Sequence, residues 1–264
     1  MSDLIAAYAE HLEYAGRAES TRQIYVGELR RMDRQLPAGL ACAHHDELKA
    51  WIYTPGHAPA TRKRLRAITC SFFDWACDPA EPRLDFNPAR LLPPVKLAAR
   101  RPKPLAPEVV ADILTRAPRP ARDWFLIAVS CGARCCEIAE LDRDDITERG
   151  TLLHGKGSKD RWVPTTGRMW KLARELPLGL VAGGLDRVQI SHRGGYVLQT
   201  VLGHKGVHMH RLRHTFGTAA HDECRDVRAV QELLGHASPA TTAGYIAASP
   251  QAMRQAVAGL PWAA

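Results

Sequence analysis

The stretch His210-Arg211-Leu212-Arg213-His214-Thr215-Phe216 decides how the rest of this chain is read. On a helix, His210 and Arg213 share one face, while Leu212, Phe216 and Ala219 form another that packs on a core. One rigid element thereby offers an imidazole and a guanidinium together. A zinc site fits this stretch poorly. His210 and His214 have the i, i+4 spacing of a metal helix, but Arg211 stands where the glutamate of HExxH belongs. Two arginines between the histidines also repel a dication, so no metal is expected.

Working outward, Leu233-Leu234-Gly235-His236 follows. Gly235 ends a helix carrying Val227, Val230 and Leu234, and Ser238-Pro239 opens the next by N-cap and N1 chemistry. His236 is then held in a tight turn, and Tyr245 rides two turns along the new helix. Upstream, Gly132-Ala133-Arg134-Cys135-Cys136-Glu137-Ile138 reads as a glycine-led entry into a helix with Arg134 at its start. Between these blocks, Thr151 to Pro164 reads as a β-hairpin. Leu152 and Leu153 precede a Gly155-Lys156-Gly157-Ser158-Lys159 turn, and Trp162 and Val163 follow it. The turn is not a P-loop, because the Gly-x-x-x-x-Gly-Lys-Ser/Thr spacing is missing.

Singly, each block has an ordinary explanation. Arg134 and Glu137 form a surface i, i+3 ion pair worth about 0.3 kcal/mol, and Tyr245 is a half-buried packing residue of its helix. Taken together, the order Arg134, Lys156, His210-x-x-Arg213, His236, Tyr245 resembles the tyrosine recombinase (phage integrase) family. The resemblance runs over nearly the whole chain and is nearest to the two-domain Xer- or Cre-like architecture.

That resemblance implies a mainly α fold with a small hairpin. It comprises an N-terminal helical core-binding (SAM-like) domain and a C-terminal α+β catalytic domain. It implies a site-specific recombinase that cuts and rejoins DNA through a 3′-phosphotyrosine. Tyr245 is then the nucleophile, Arg134 and Arg213 grip the scissile phosphate, and His236 donates a hydrogen bond to it. His210 is the base for a phenol of pKa ~10, and Lys156 protonates the leaving 5′-oxygen. No cofactor is needed, because the phosphotyrosyl ester keeps the bond energy for rejoining. The implied partners are double-stranded DNA and three further copies, making a tetramer on two DNA sites, with room for accessory DNA-binding proteins. Two departures stand out. Ala133 and Cys135-Cys136 are unusual beside the first arginine, and the 54 positions from Lys156 to His210 (210 − 156) are few for the family.

Composition agrees with a polyanionic partner. The 264 residues carry a formal net charge of +8, with 45% hydrophobic and 24% charged residues, as in a globular protein. No long apolar run and no secretory pattern at Met1-Ser2-Asp3-Leu4 point to the cytoplasm rather than a membrane. The seven cysteines show neither a disulfide framework nor CxxC spacing.

Residues 1–95 read as the helical module. Leu4, Tyr8, Leu12 and Ala15 recur at helical spacing before Gly16. Ser20 or Thr21 caps a second helix with the stripe Tyr25, Leu29, Met32 and Leu36. A short helix spans Asp46 to Tyr53. A longer one after Pro59 faces Leu65, Ile68, Phe72 and Trp75 or Ala76 inward. Cations crowd its first turns, where they oppose the helix dipole, so phosphate contact explains them better than stability does. The expected DNA contacts are Arg22, Arg30, Arg62, Lys63, Arg64 and Arg66, joined by Lys159 of the hairpin. A basic, proline-rich linker covers 96–106, and 107–264 forms the catalytic domain. There Pro107 opens a helix with Val109, Val110, Ile113 and Leu114, and Trp124 to Ser130 forms a buried one. The chain begins directly with the core-binding helices, leaving no room for an arm-binding domain. The C-terminal tail, with Met253, Val257, Leu260 and Trp262, docks on a neighbouring subunit or on its own domain. Two rival activities share this chemistry or fold: a type IB topoisomerase-like enzyme, and a DNA-binding protein that no longer cuts.

Overall fold

The computed structural model describes residues 2–98, 103–155 and 160–235. The chain divides after Ala99 into two compact units.

The first unit holds α1 (Ser2–Tyr14), α2 (Glu19–Gln35), α3 (His45–Ile52) and α4 (Pro59–Ala76). Their apolar stripes meet in one core, where Tyr8, Leu29, Met32, Leu48, Leu65 and Phe72 are all 0% exposed. An aromatic cluster locks α1 on α4. The Tyr8 ring stands edge-on to Phe72 at 5.3 Å, and its hydroxyl donates to Ser71 at 2.8 Å. Such pairs add about 1 kcal/mol beyond the area that they bury. Two details differ from the expectation. The second helix starts at Glu19 with Ala18 at its N-cap and no side-chain cap, so neither Ser20 nor Thr21 caps it. Ala15 lies past the end of α1 and is exposed, because Gly16 turns the chain at φ 67°.

The second unit runs α5 (Pro107–Arg116), α6 (Ala121–Cys131), α7 (Cys135–Glu140), a 3-10 turn (Arg143–Asp145), β1 (Gly150–Leu153), β2 (Arg161–Pro164), α8 (Gly167–Glu175), α9 (Arg187–Tyr196), a π-helical turn (Val197–Val201), α10 (Met209–Cys224) and α11 (Val227–Leu234). The fold class is therefore mainly helical with a small hairpin. β1 pairs antiparallel with β2, Leu152 opposite Trp162 and Leu153 opposite Arg161. α6 is the central helix, with Trp124, Phe125, Ile127 and Ala128 at most 1% exposed, and α10 packs along it. The residues before α5 belong to this core. Leu105 is 7% exposed, its N–H donates to Thr215 at 2.9 Å, and the Lys103 carbonyl accepts from Arg211.

α10 turns Leu212 fully inward, as its spacing predicts, with Phe216 half-buried beside it. Ala219 is exposed, and Gly217 takes the buried position on that side. The hairpin forms where the sequence places it, and β2 alternates between its two faces. Trp162 points outward, 54% exposed, and covers Gly150, where a β-carbon would sit 1.8 Å from its ring. Period two then sends Arg161 inward, 8% exposed. An arginine therefore occupies a core-facing position.

Candidate active site around Glu137

Gly132 ends α6 in the left-handed conformation at φ 62° and turns the chain sharply into α7. Arg134 stands at the N-cap of α7, and Glu137 three residues on reaches back to accept the Arg134 N–H at 2.7 Å. This is half of a capping box, with the glutamate satisfying an orphan donor at the helix start. Glu137 is 0% exposed, so one partner of the expected surface ion pair is in fact wholly buried.

A buried carboxylate is costly unless paired and hydrogen-bonded, and this one is saturated. Oε1 accepts from Arg134 Nη1 at 2.6 Å and from Arg161 Nη1 at 2.5 Å. Oε2 accepts from the Arg134 N–H and from Arg161 Nη2 at 2.9 Å. Arg213 Nη1 lies 3.8 Å from the same oxygen. Burial pushes the Glu137 carboxyl up, but the hydrogen bonds and charges of Arg161 and Arg134 outweigh it and hold it below the usual value. Glu137 is thus ionised and gathers three arginines from distant parts of the chain.

The three are presented differently. The Arg134 side chain is 36% exposed, Arg161 6% and Arg213 1%. Arg213 donates Nη1 to the Gly132 carbonyl and Nη2 to the Leu234 carbonyl, at the ends of α6 and α11. Arg134 faces a pocket of about 400 Å³, shared with Cys135, Arg187, Ser191, His192 and His210. One turn of α10 separates His210 from Arg213, so the two arrive in the site together, as the spacing requires. The His210 ring lies 4.4 Å from that of His214, edge to face. Partial burial of the ring, then the charges of His214, Arg213, His208 and Arg134, push the His210 imidazole down to about 4. It is therefore neutral near pH 7.

Neighbouring thiols are poor nucleophiles. Burial pushes Cys131 and Cys135 up to about 11, which keeps both protonated at neutral pH. At the mouth of the hairpin turn, His154 links to Asp160 at 3.2 Å and to Asp145 at 3.4 Å, clasping the two strands.

Of the residues singled out in the sequence, Arg134, His210 and Arg213 come together here. Lys156, Lys159, His236 and Tyr245 lie outside the described residues, as do Ser238, Pro239 and the apolar tail residues Met253, Val257, Leu260 and Trp262. Arg161 was not anticipated at all, and Glu137 only as a surface partner. The visible signal was the alternation of β2, which puts Arg161 and Val163 on one face.

In the first unit several expected DNA contacts serve internal bonds. Arg66 donates twice to the Leu92 carbonyl, Arg62 donates to the Thr54 carbonyl, Arg64 pairs with Glu28 and Arg22 with Glu13. Arg30 and Lys63 are exposed. Among the described residues, no helix is long and apolar enough to cross a membrane.

Comparison with known proteins agrees with this geometry. A model described as the phage integrase family matches residues 185–252. Tyrosine recombinase XerC of Chromobacterium violaceum is 31% identical, over 94% of this chain and 90% of that protein. XerC of Myxococcus xanthus is 30% identical, over 97% and 96%. In fold, the chain is similar to a lambda integrase dimer bound to a COC′ core site, with TM-score 0.78 and 19% identity over 93% of this chain and 76% of that one. It is also similar to XerH site-specific recombinase bound to palindromic difH substrate, with TM-score 0.66 and 21% identity over 89% and 77%. The two full-length XerC matches decide the assignment, and the chain belongs to the tyrosine recombinase family.

Proposed function

We propose that this site-specific recombinase breaks a DNA phosphodiester by attack of Tyr245 and rejoins it by the reverse step. The observation that carries the reading is the excess of positive charge around one carboxylate. Three guanidinium groups converge on Glu137, with a neutral imidazole beside them. Such a cluster is completed by an anion the size of a phosphate.

Arg134 is the accessible member and is directed to the non-bridging oxygens, where a planar fork gives paired charge-assisted hydrogen bonds. His210 takes the phenolic proton. Arg213 is oriented by two carbonyls and closed from solvent, so phosphate reaches it only once the site opens on DNA. Lys156 is assigned the proton for the leaving 5′-oxygen and His236 a hydrogen bond to phosphate. Both roles, like that of Tyr245, rest on the order of the motif. Double-stranded DNA in the cytoplasm is the substrate, and a tetramer on two sites performs strand exchange, with accessory DNA-binding proteins as further partners. The first unit, through Arg30 and Lys63, and the linker embrace the duplex. Lys159 and whichever of Arg22, Arg62, Arg64 and Arg66 release their internal bonds add phosphate contacts.

The test is strand exchange between two differently labelled duplexes carrying a site selected from random DNA. Recombinant products that need both sites and vanish in Arg134→Ala support the reading. Sequence-independent relaxation of supercoiled DNA without exchange points to a topoisomerase, and binding without any strand breakage to a non-cutting protein.

A further inference from the structure

Arg161 is the least expected residue of the second unit, a guanidinium on the inward face of a strand. All three of its nitrogens are engaged, on three separate elements. Nε donates to the Leu233 carbonyl at 2.8 Å, in the last turn of α11. Nη1 and Nη2 fork onto Glu137 at 2.5 and 2.9 Å, in α7. Nη2 also donates to the Gly132 carbonyl at 3.2 Å, at the end of α6. Its aliphatic stem fills the space left by Gly235, where a β-carbon would sit 3.0 Å from Arg161 Cδ.

We propose that Arg161 is a positioning residue for strand cleavage, acting through Glu137 on Arg134. The inference rests on the phosphate-gripping role proposed above for Arg134. Arg134 and Arg161 share Glu137 Oε1, so the bidentate hold of Arg161 decides where that oxygen lies and hence where the Arg134 fork points. Without it, Glu137 is free to turn toward Arg213, now 3.8 Å away, and Arg134 loses its anchor. The bond to Leu233 adds a second action. It ties strand β2 to the end of α11, the turn from which the chain continues to His236. A lysine cannot reproduce this, because one ammonium group cannot span a carboxylate and two carbonyls in fixed directions.

The experiment is a double-mutant cycle on single-turnover cleavage of the selected site by the full chain, with DNA affinity measured in parallel. Arg161→Lys is expected to slow cleavage at saturating DNA by roughly 10- to 100-fold, the scale of a misplacement near 1 Å, and to leave Kd within about twofold. In an Arg134→Ala background the same change is expected to slow cleavage by no more than about threefold, since the relay has lost its end point. Equal rates for Arg161→Lys and wild type, or slowdowns that multiply in the double variant, overturn the proposal. If Arg161→Lys melts below the assay temperature, the isosteric Glu137→Gln takes its place in the same cycle. It is expected to show the same non-additivity with Arg134→Ala, and multiplying effects again overturn the relay. Wild-type protein that yields no cleavage at all would instead sink the recombinase reading beneath it.

Discussion

The ring of Phe216 lies over Gly132 so closely that a β-carbon on the glycine would sit 2.5 Å from Cδ1. Gly132 also holds φ 62°, and its carbonyl anchors both Arg161 and Arg213. Gly132→Ala therefore meets a strained backbone and a clash at one position. We expect it to destabilise the second unit by about 2–4 kcal/mol in urea unfolding, and to slow cleavage further by shifting the two arginines.

Gly27 provides the opposite case. It lies inside α2 with nothing within 4 Å of a β-carbon and no unusual φ. Gly27→Ala is expected to stabilise the first unit by about 0.5–1 kcal/mol, seen as a raised urea midpoint with unchanged slope.

Exposure separates the two partners of the Arg134–Glu137 ion pair. The Arg134 side chain is 36% exposed and Glu137 0%, so their truncations behave differently. Arg134→Ala is expected to cost less than about 1 kcal/mol of stability and to lower the cleavage rate by about 10³-fold. Glu137→Ala leaves buried cations without their counter-charge, and is expected to cost roughly 3–5 kcal/mol. Paired melting curves and single-turnover assays check both.

Acid weakens the second unit through His210, its neighbour His214, which burial and the charge of Arg213 also hold down, and Glu137. His210 titrates near 4 when folded and near ~6.5 when unfolded, so between these values the unfolded chain binds the extra proton. Stability falls as pH drops through that window and is level above it. Glu137 is held low when folded, so its contribution is present above its unfolded value and lost as pH falls through the lowered folded one. We expect the melting temperature to decline steadily below about pH 6.5, with a shallower decline in His210→Asn. A His210 proton resonance titrating near ~6.5 in the free protein would contradict this.

DNA affinity is expected to fall at least tenfold between ~50 and ~200 mM salt, because several phosphate contacts release counterions. A smaller loss in a filter-binding titration argues against a clamp of many contacts.

Much of this architecture was legible in the residues. The stripes through Tyr8, Leu29, Met32, Ile68 and Phe72 needed only helical periodicity, since burial of one face follows directly from it. His210 and Arg213 were legible together because a helix joins them. Arg161 was not, since hydropathy steers charged residues away from cores, and only the three-dimensional meeting with Glu137 makes its burial favourable. Trp162 takes the outward face of the same strand, its ring lying over Gly150. Glu137 was read at the right distance from Arg134 but on the wrong side of the surface. Spacing gives contact within a helix, whereas burial depends on what packs over it.

The proposed reaction joins Tyr245 covalently to a strand end, and mass spectrometry of the trapped adduct reads that bond directly. Wild-type protein would be incubated with a nicked substrate that loses its short cleaved fragment, denatured, and digested with protease and nuclease. We expect a peptide containing Tyr245 heavier by a 3′-linked nucleotide, absent in Tyr245→Phe. A nucleotide on any other side chain, or an adduct that persists in Tyr245→Phe, would contradict it.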